Sequence, residues 1–383
     1  MGSDMTRSSD VVVVGGGVIG LAVAYYLARE KVQVTLVERG AIGHEASWAA
    51  AGYLSFQGSS NQPGPRLELT RTSARMYEGW IRELAELTPA DTGFWRCGLL
   101  DLSLNDAEVK DARELAAWQQ AAGYSVDWLD EATVRKRQPS LAEDLPVQGA
   151  LLFPEVAQVR PPRLLKALAE AAVRRGVYIR EDAAVTSISR SGDRVTGVVL
   201  AGGESIAAPI VVNAAGSWAP QLAPEMAGLP VKPIKGTILL LEVPTQPSRE
   251  LLISSQGSLY PRADNKLLLG ATMEDVGYDK RVKLDALQTL VRQAITLVPR
   301  LKEANLVTAW AGLRPYSHDN VPYLGPVPGL DGAFVATGHY RSGILLAPVT
   351  GLLLKEMILG QPPTLPLEPY QMSRLDHPAR AAL

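Results

Sequence analysis

The stretch VVVVGGGVIGLAVAYYLARE, residues 11–30, decides how the rest of the chain is read. Its four β-branched residues read as a short, fully buried parallel strand. Three glycines follow, and then LAVAYYLARE, whose apolar positions suit a helix packed on a sheet. KVQVTLVER, residues 31–39, supplies a second strand. Strand, turn, helix and strand within about 30 residues form a nucleotide-binding unit. In Gly15-x-Gly17-x-x-Gly20 the first glycine permits the tight turn and the second lets a pyrophosphate approach the backbone. The third lets the helix pack closely on the strand. Val18 and Ile19 open that helix, where free N–H groups face phosphates. Glu38 ends the second strand, with Arg39 beside it, where a carboxylate accepts bonds from a ribose 2′-OH. That choice favours an unphosphorylated ribose, as in FAD or NAD, over NADP. The glycine pattern alone does not choose between those two, and a glycine-rich turn without a cofactor is the competing reading.

The uncharged segment 11–28 is long enough to suggest a membrane span or a signal peptide. Its glycines break that pattern, and no basic region precedes it beyond Arg7. MGSDMT at the start fits both an N-myristoylation signal and an expression-tag remnant before Met5. The chain has 383 residues, 46% apolar and 20% charged, enough for two interlocked domains of ordinary soluble composition. A net charge of −2 leaves no electrostatic footprint for nucleic acid or an anionic membrane. Cys97 is the single cysteine, which excludes an intrachain disulfide and a Cys-clustered metal site. His44, His318, His339 and His377 are dispersed without metal-ligand spacing, so no metal is expected. A reducing, cytoplasmic setting follows as the expectation.

Helical spacing recurs at 66–90, 104–121, 162–176 and 284–297, and strands crowd residues 177–213 and 231–272. The pattern predicts an α/β chain in which a Rossmann-like dinucleotide-binding domain is interleaved with an α+β substrate domain. The latter is built on a mixed, mostly antiparallel sheet. The expected divisions are 8–80, 150–225 and 320–370 for the first, and 81–149 and 226–319 for the second. Tails are expected at 1–7 and 371–383.

Four further segments choose the cofactor. ASWAAAGYL, residues 46–54, is rich in small residues that let a flat ring or phosphate approach the backbone, at Ser47, Ala50, Ala51 and Gly52. IVVNAAGSWAP, residues 210–220, is a buried strand ending at Ala215, Gly216 and Trp218. AGLRP (311–315) and GHYRSGILLAP (338–348) carry Arg314, Gly338, Arg341, Ser342, Gly343 and Ile344. At these residues the chain resembles the glycine oxidase branch of the D-amino-acid oxidase family, FAD-dependent amine oxidoreductases, from about residue 10 to 365.

The resemblance implies non-covalent FAD, contacted by the residues just named and by Val185. It implies hydride transfer from the α carbon of a small amino acid (glycine, sarcosine or D-alanine) to flavin N5. The imine formed hydrolyses to a 2-oxo acid and ammonia, and O2 is reduced to H2O2. In bacteria the family's glycine oxidases supply an imine for the thiazole ring of thiamine. A homo-oligomer is expected. By the match of AGLRP, Arg314 pairs with the substrate carboxylate; by the match of GHYRSG, Arg341 lies near the flavin and the substrate entrance. Met273 lines the substrate pocket. The sequence departs where the family's glycine oxidases carry a tyrosine near the substrate, upstream of a Pro-Arg pair. Ser258 takes that place, and Tyr260, the nearest tyrosine, is expected on the opposite face of the strand. Sarcosine, D-proline or another D-amino acid therefore stay open as substrates, as does an electron acceptor other than O2.

The residues themselves support this chemistry. A guanidinium binds a carboxylate through two parallel hydrogen bonds, fixing orientation as well as charge. A structural ion pair is the plainer reading of Arg314, and an interdomain salt bridge that of Arg341. Pro348 suits a first helical turn, so the last helix is expected to start near 345–347, its N-terminus favouring negative charge on a reduced flavin. No acid–base pair is evident. His339 is expected to pack or hydrogen-bond rather than act as base, and Cys97 to be an inert buried thiol rather than a flavin attachment point. A nicotinamide-dependent dehydrogenase and a non-catalytic flavin-binding module are the readings from other classes.

Overall fold

A computed structural model describes residues 8–57 and 63–376. The MGSDMT pattern, the expected tail 1–7, most of the 58–65 loop and His377 lie outside the described residues.

The run Val11–Val14 lies inside a six-stranded sheet ordered Tyr323–Pro326, Ala333–Thr337, Ile210–Asn213, Val11–Val14, Val34–Val37, Tyr178–Arg180. Every pairing is parallel except that of Tyr323–Pro326 with Ala333–Thr337. Side chains alternate across the sheet, as the period of two requires. Val11 and Val13 enter the core beneath the helices. Val12 and Val14 enter the core beneath a three-stranded antiparallel sheet made of Val185–Ser191, Arg194–Leu200 and Ser205–Ala207.

Helix Val18–Arg29 is buried from Val18 through Ala28. It is wedged among the first sheet and the helices Pro161–Arg174 and Gly343–Ile358. A helix covered on all sides needs no polar stripe, which is why its sequence imitates a membrane span. Gly351 permits the close crossing, because a Cβ there would stand 2.6 Å from the Tyr26 ring and 2.9 Å from the Ala22 carbonyl oxygen. Among the described residues no helix is long and apolar enough to cross a membrane.

The second sheet has eight strands ordered Asn305–Ser317, Val231–Glu242, Lys266–Gly270, Gly257–Pro261, Leu251–Ser254, Leu99–Ser103, Gly149–Phe153, Asp127–Asp130. It is antiparallel apart from the parallel pair Leu251–Ser254 and Leu99–Ser103. Leu239, Leu241, Leu259, Leu267 and Leu269 point to one face, where helix Leu284–Leu297 covers them. The opposite face turns toward the first sheet.

Three expectations about boundaries meet different facts. The division after residue 80 falls inside the helix Pro65–Leu87, whose apolar stripe runs on to Leu84. The division before residue 150 cuts the strand Gly149–Phe153, which is hydrogen-bonded within the second sheet. Residues 371–376 of the expected tail are anchored: Met372–Asp376 is a short helical turn, and Arg374 pairs with Asp319 at 3.0 Å, both almost wholly buried.

The last helix begins at Gly343, earlier than 345–347, so Pro348 falls in its second turn. Proline brings no N–H to the Ile344 carbonyl there. The Tyr77 hydroxyl donates to that carbonyl at 3.1 Å. The Ser73 hydroxyl donates to the Leu345 carbonyl at 2.6 Å and accepts the Val349 N–H at 3.4 Å. Ser73 and Tyr77 are one helical turn apart, so a single face of Pro65–Leu87 repairs the interrupted ladder. Tyr77→Phe strands the buried Ile344 carbonyl and is expected to cost about 1–3 kcal/mol. A urea titration should show a lower midpoint at unchanged slope; an unchanged midpoint would mean the helix satisfies itself.

Candidate active site

Between the two sheets lies a cavity of about 720 Å³, within the size of small-molecule sites. One end is built by the glycine turn. Gly15 adopts φ +109°, and a Cβ there would stand 2.5 Å from the Ala214 carbonyl oxygen. A Cβ on Gly20 would lie 1.9 Å from the Gly15 carbonyl oxygen, so only glycine lets the helix sit this close to the turn. The Val18 N–H donates to Ser47 Oγ at 3.0 Å. Glu38 Oε2 accepts the Gly16 N–H at 2.7 Å, and Oε1 accepts the Gly40 N–H at 3.1 Å. The acid thus stiffens the turn, and each oxygen keeps acceptor capacity for a sugar hydroxyl. Nearby, the Arg39 guanidinium lies 3.7 Å over the Trp218 ring, which packs on Tyr278 at 5.3 Å.

The other end is built by one face of the second sheet. The register sets Gly236 opposite Gly312, Ile234 opposite Arg314, Ile238 opposite Gly270, Leu268 opposite Tyr260, and Ile253 opposite Ser258. Residues two apart share a face, so Gly236, Gly312, Gly270, Arg314, Tyr260 and Ser258 all look the same way. The glycines leave a trough. A Cβ on Gly312 would meet Ala49 Cβ at 2.5 Å, so this position lets the 46–50 segment press onto the sheet. Trp310 Nε1 donates to the Ala49 carbonyl at 3.1 Å, and the buried Arg262 donates to the Ala51 carbonyl.

Arg314 lies flat over Gly236, where a Cβ would stand 2.0 Å from its terminal nitrogen. It donates once to the protein, to the Thr272 carbonyl at 3.1 Å. Among the described residues no carboxylate pairs with it. Loss of water around it holds its pKa below the usual guanidinium range; Tyr340 pulls the other way, and the neighbouring Arg341 adds to the lowering. Arg341 is exposed at the cavity wall, 5.8 Å from the Tyr340 ring centre, and no acidic partner is found for it among the described residues.

All five expected catalytic residues, Arg314, Arg341, Met273, Ser258 and Tyr260, line this one cavity. Met273 stands at its mouth, 63% exposed, and accepts the Tyr340 hydroxyl at 3.0 Å. Ser258 and Tyr260 are on the same face, against the expectation of opposite faces, because a strand's side-chain period is two residues. Tyr260 is buried and stacked on Tyr53, ring centres 5.8 Å apart. Burial, with Tyr53 adding, pushes its phenol up to about 12.

Of the expected cofactor residues, Gly15, Gly17, Val18, Ile19, Glu38, Arg39, Ser47, Ala50, Ala51, Val185, Ala215, Gly216, Trp218, Gly343 and Ile344 line the cavity. Gly20, Gly52, Gly338 and Ser342 stand behind its wall and act on shape. A Cβ on Gly52 would reach the Val159 carbonyl oxygen at 2.4 Å, and Gly338 adopts φ +79°. The Ser342 hydroxyl accepts Arg66 at 3.2 Å. Tyr53, Tyr340, Gly236 and Gly312 also line the cavity. Sequence reasoning passed over them, because Gly236 meets Gly312 only through strand register, while Tyr53 and Tyr340 arrive from a separate small sheet and a turn.

His339 is buried, its Nε2 3.0 Å from the Thr350 hydroxyl, and burial pushes its pKa down to about 3. Cys97 lies outside the cavity, and burial pushes its thiol up to about 12, so it is inert.

Residues 10–357 match the family described as DAO, FAD dependent oxidoreductase. The glycine oxidase of Geobacillus kaustophilus is 35% identical over 372 residues, 97% of this chain and 98% of that protein. The bifunctional protein ThiO/ThiG of Synechocystis is 37% identical over 364 residues, 93% of this chain and 52% of that longer protein. The crystal structure of the Geobacillus kaustophilus glycine oxidase superposes with a TM-score of 0.92 at 35% identity, covering 96% of this chain and 99% of that one.

The glycine cradle yields a direct test. Gly20→Ala drives a methyl group into the Gly15 carbonyl, so the protein is expected to purify without bound flavin absorbance. Retention of stoichiometric flavin would show that the turn does not hold it.

Proposed function

The chain belongs to the DAO family of FAD-dependent oxidoreductases, and from that premise we propose that it oxidises a small amino acid, glycine foremost, with sarcosine and D-alanine next. One observation carries this reading: a guanidinium faces the cavity with a single protein acceptor and no acidic partner among the described residues. The cradle that a Cβ would fill at Gly15 and Gly20 fits a dinucleotide, with Glu38 at the ribose and the Gly343–Ile358 helix start at the opposite end. FAD, when bound, accepts the hydride from the substrate's α carbon and passes the electron pair to O2, giving H2O2. Cys97 lies outside the cavity, so no thiol attaches the cofactor there.

The protein's share is binding and orientation. Arg314 takes the substrate carboxylate through two parallel hydrogen bonds, and the bare trough at Gly236 and Gly312 lets the small substrate lie close beneath it. Arg341 adds positive potential at the entrance. Tyr53 and Tyr260 close one wall against water. The oxidised substrate leaves as an imine that hydrolyses to a 2-oxo acid and ammonia, or methylamine where sarcosine is the substrate. The likeness to a ThiO/ThiG protein supports delivery of that imine to thiazole synthesis for thiamine.

No side chain is asked to take a proton. His339 is neutral and engaged with Thr350, and Tyr260 keeps its proton at neutral pH. The substrate therefore reacts as the free amine. The expected kcat/KM rises with pH as the substrate ammonium deprotonates, with no break from His339 between about pH 5 and 8. A bell-shaped profile in that range would call for a protein base.

Anaerobic bleaching of the flavin band by glycine, sarcosine, D-alanine or D-proline, followed by recovery in air, tests the substrate class and the acceptor together. Arg314→Ala is expected to lower kcat/KM for glycine by roughly 2–5 kcal/mol, about 30- to 4,000-fold, with bound FAD retained. Gly236→Ala should act in the same direction by displacing the guanidinium. Unchanged turnover in Arg314→Ala would remove the clamp.

A further inference from the structure

Beneath Arg314 lies a network that the binding reading does not use. Lys235, next to Gly236, has no exposed side-chain surface, and its Nζ lies 2.7 Å from Glu274 Oε2. It also donates to the Arg281 carbonyl at 3.2 Å. The other Glu274 oxygen accepts the Thr272 hydroxyl at 2.7 Å. That hydroxyl accepts the Thr237 N–H at 2.9 Å, while the Thr272 carbonyl receives Arg314. Two reciprocal backbone bonds join Lys235 and Glu274, at 2.9 and 3.0 Å.

We propose that Lys235, Glu274 and Thr272 form a positioning relay that aims Arg314 at the substrate carboxylate. The proposal rests on the carboxylate-clamp reading above and adds the residues that hold the clamp's own carbonyl partner. Alternation along 272–274 sends Thr272 and Glu274 into this network and Met273 to the cavity mouth. Lys235 points away from the face on which Gly236 supports the guanidinium. The Thr272 carbonyl is thus pinned from behind: its own hydroxyl is held by Glu274, and Glu274 by a lysine with no other acidic partner among the described residues. An ion pair with one partner buried is weak evidence for stability, since an apolar pair of similar volume often serves as well. What this pair adds is a fixed carbonyl, and with it a fixed guanidinium plane. A carboxylate clamp needs that, because both of its hydrogen bonds depend on one orientation.

The test uses the FAD-loaded protein. Thr272→Val removes the hydroxyl at nearly constant volume, and Thr272→Ser restores it. The expected result for Thr272→Val is a rise of about tenfold in KM for glycine, with kcat within twofold. The dissociation constant of acetate, read from its perturbation of the flavin spectrum, should rise by a similar factor. Thr272→Ser should return both to within twofold. Lys235→Met should resemble Thr272→Val. Should either variant fail to fold, Glu274→Gln keeps an acceptor for Thr272 and is expected to raise KM and the acetate constant about threefold. The relay is overturned if Arg314→Ala weakens acetate while Thr272→Val, or Glu274→Gln in its place, leaves acetate and KM unchanged. It is equally overturned if these variants lower kcat or flavin content without changing acetate binding. If Arg314→Ala itself leaves acetate binding unchanged, the clamp and the relay both fall.

Discussion

A half-buried guanidinium that no carboxylate among the described residues pairs with is the constraint around which this molecule is arranged. Arg314 has lost hydration and gained one carbonyl, and a second arginine stands nearby. Such a group is costly to hold and strongly attracts an anion small enough to reach it. The architecture tolerates it because the cation is locked by neighbours: Gly236 below, Thr272 beside, and the Lys235–Glu274 pair behind. The Arg314 side chain also lines the cavity.

Close approach is the second requirement, and glycine meets it wherever two elements touch. Gly20 brings the helix onto the turn, Gly351 brings two helices together, and Gly312 lets the 46–50 segment lie on the second sheet. Each replaces a side chain that would stand under 3 Å from a neighbour. The cavity is therefore a consequence of omitted atoms as much as of present ones. Its cofactor end belongs to one sheet and its substrate end to the other. Trp310 and Arg262 hold the two together through the backbone of Ala49 and Ala51.

Buried polar groups in this chain tend to be answered from another element. Pro348 interrupts its helix, and Ser73 and Tyr77 of a distant helix supply the lost partners. That repair explains why proline signalled a helix start that the structure does not honour. Proline's preference for the first turn is local, whereas the hydroxyls that relieve it deeper in the helix come from some 270 positions upstream. Gly149–Phe153 likewise takes its partners from other segments of the chain. Nothing in GALLF announces whether it joins a parallel or an antiparallel sheet, and only hydrogen bonding to Leu99–Ser103 decides.

Residues 11–39 determined the nucleotide-binding unit by themselves, because strand, glycine turn, helix and terminal acid all interact within one short span. AGLRP and GHYRSG marked the two arginines but could not say what surrounds them. Only tertiary structure placed Gly236 opposite Gly312, turned Ser258 and Tyr260 to one face, and stacked Tyr53 on Tyr260. Only tertiary structure left Arg314 without an acid among the described residues while giving Lys235 one. The physical reason is register: a strand's sequence fixes which residues alternate, but its hydrogen-bonded neighbours fix which of them meet.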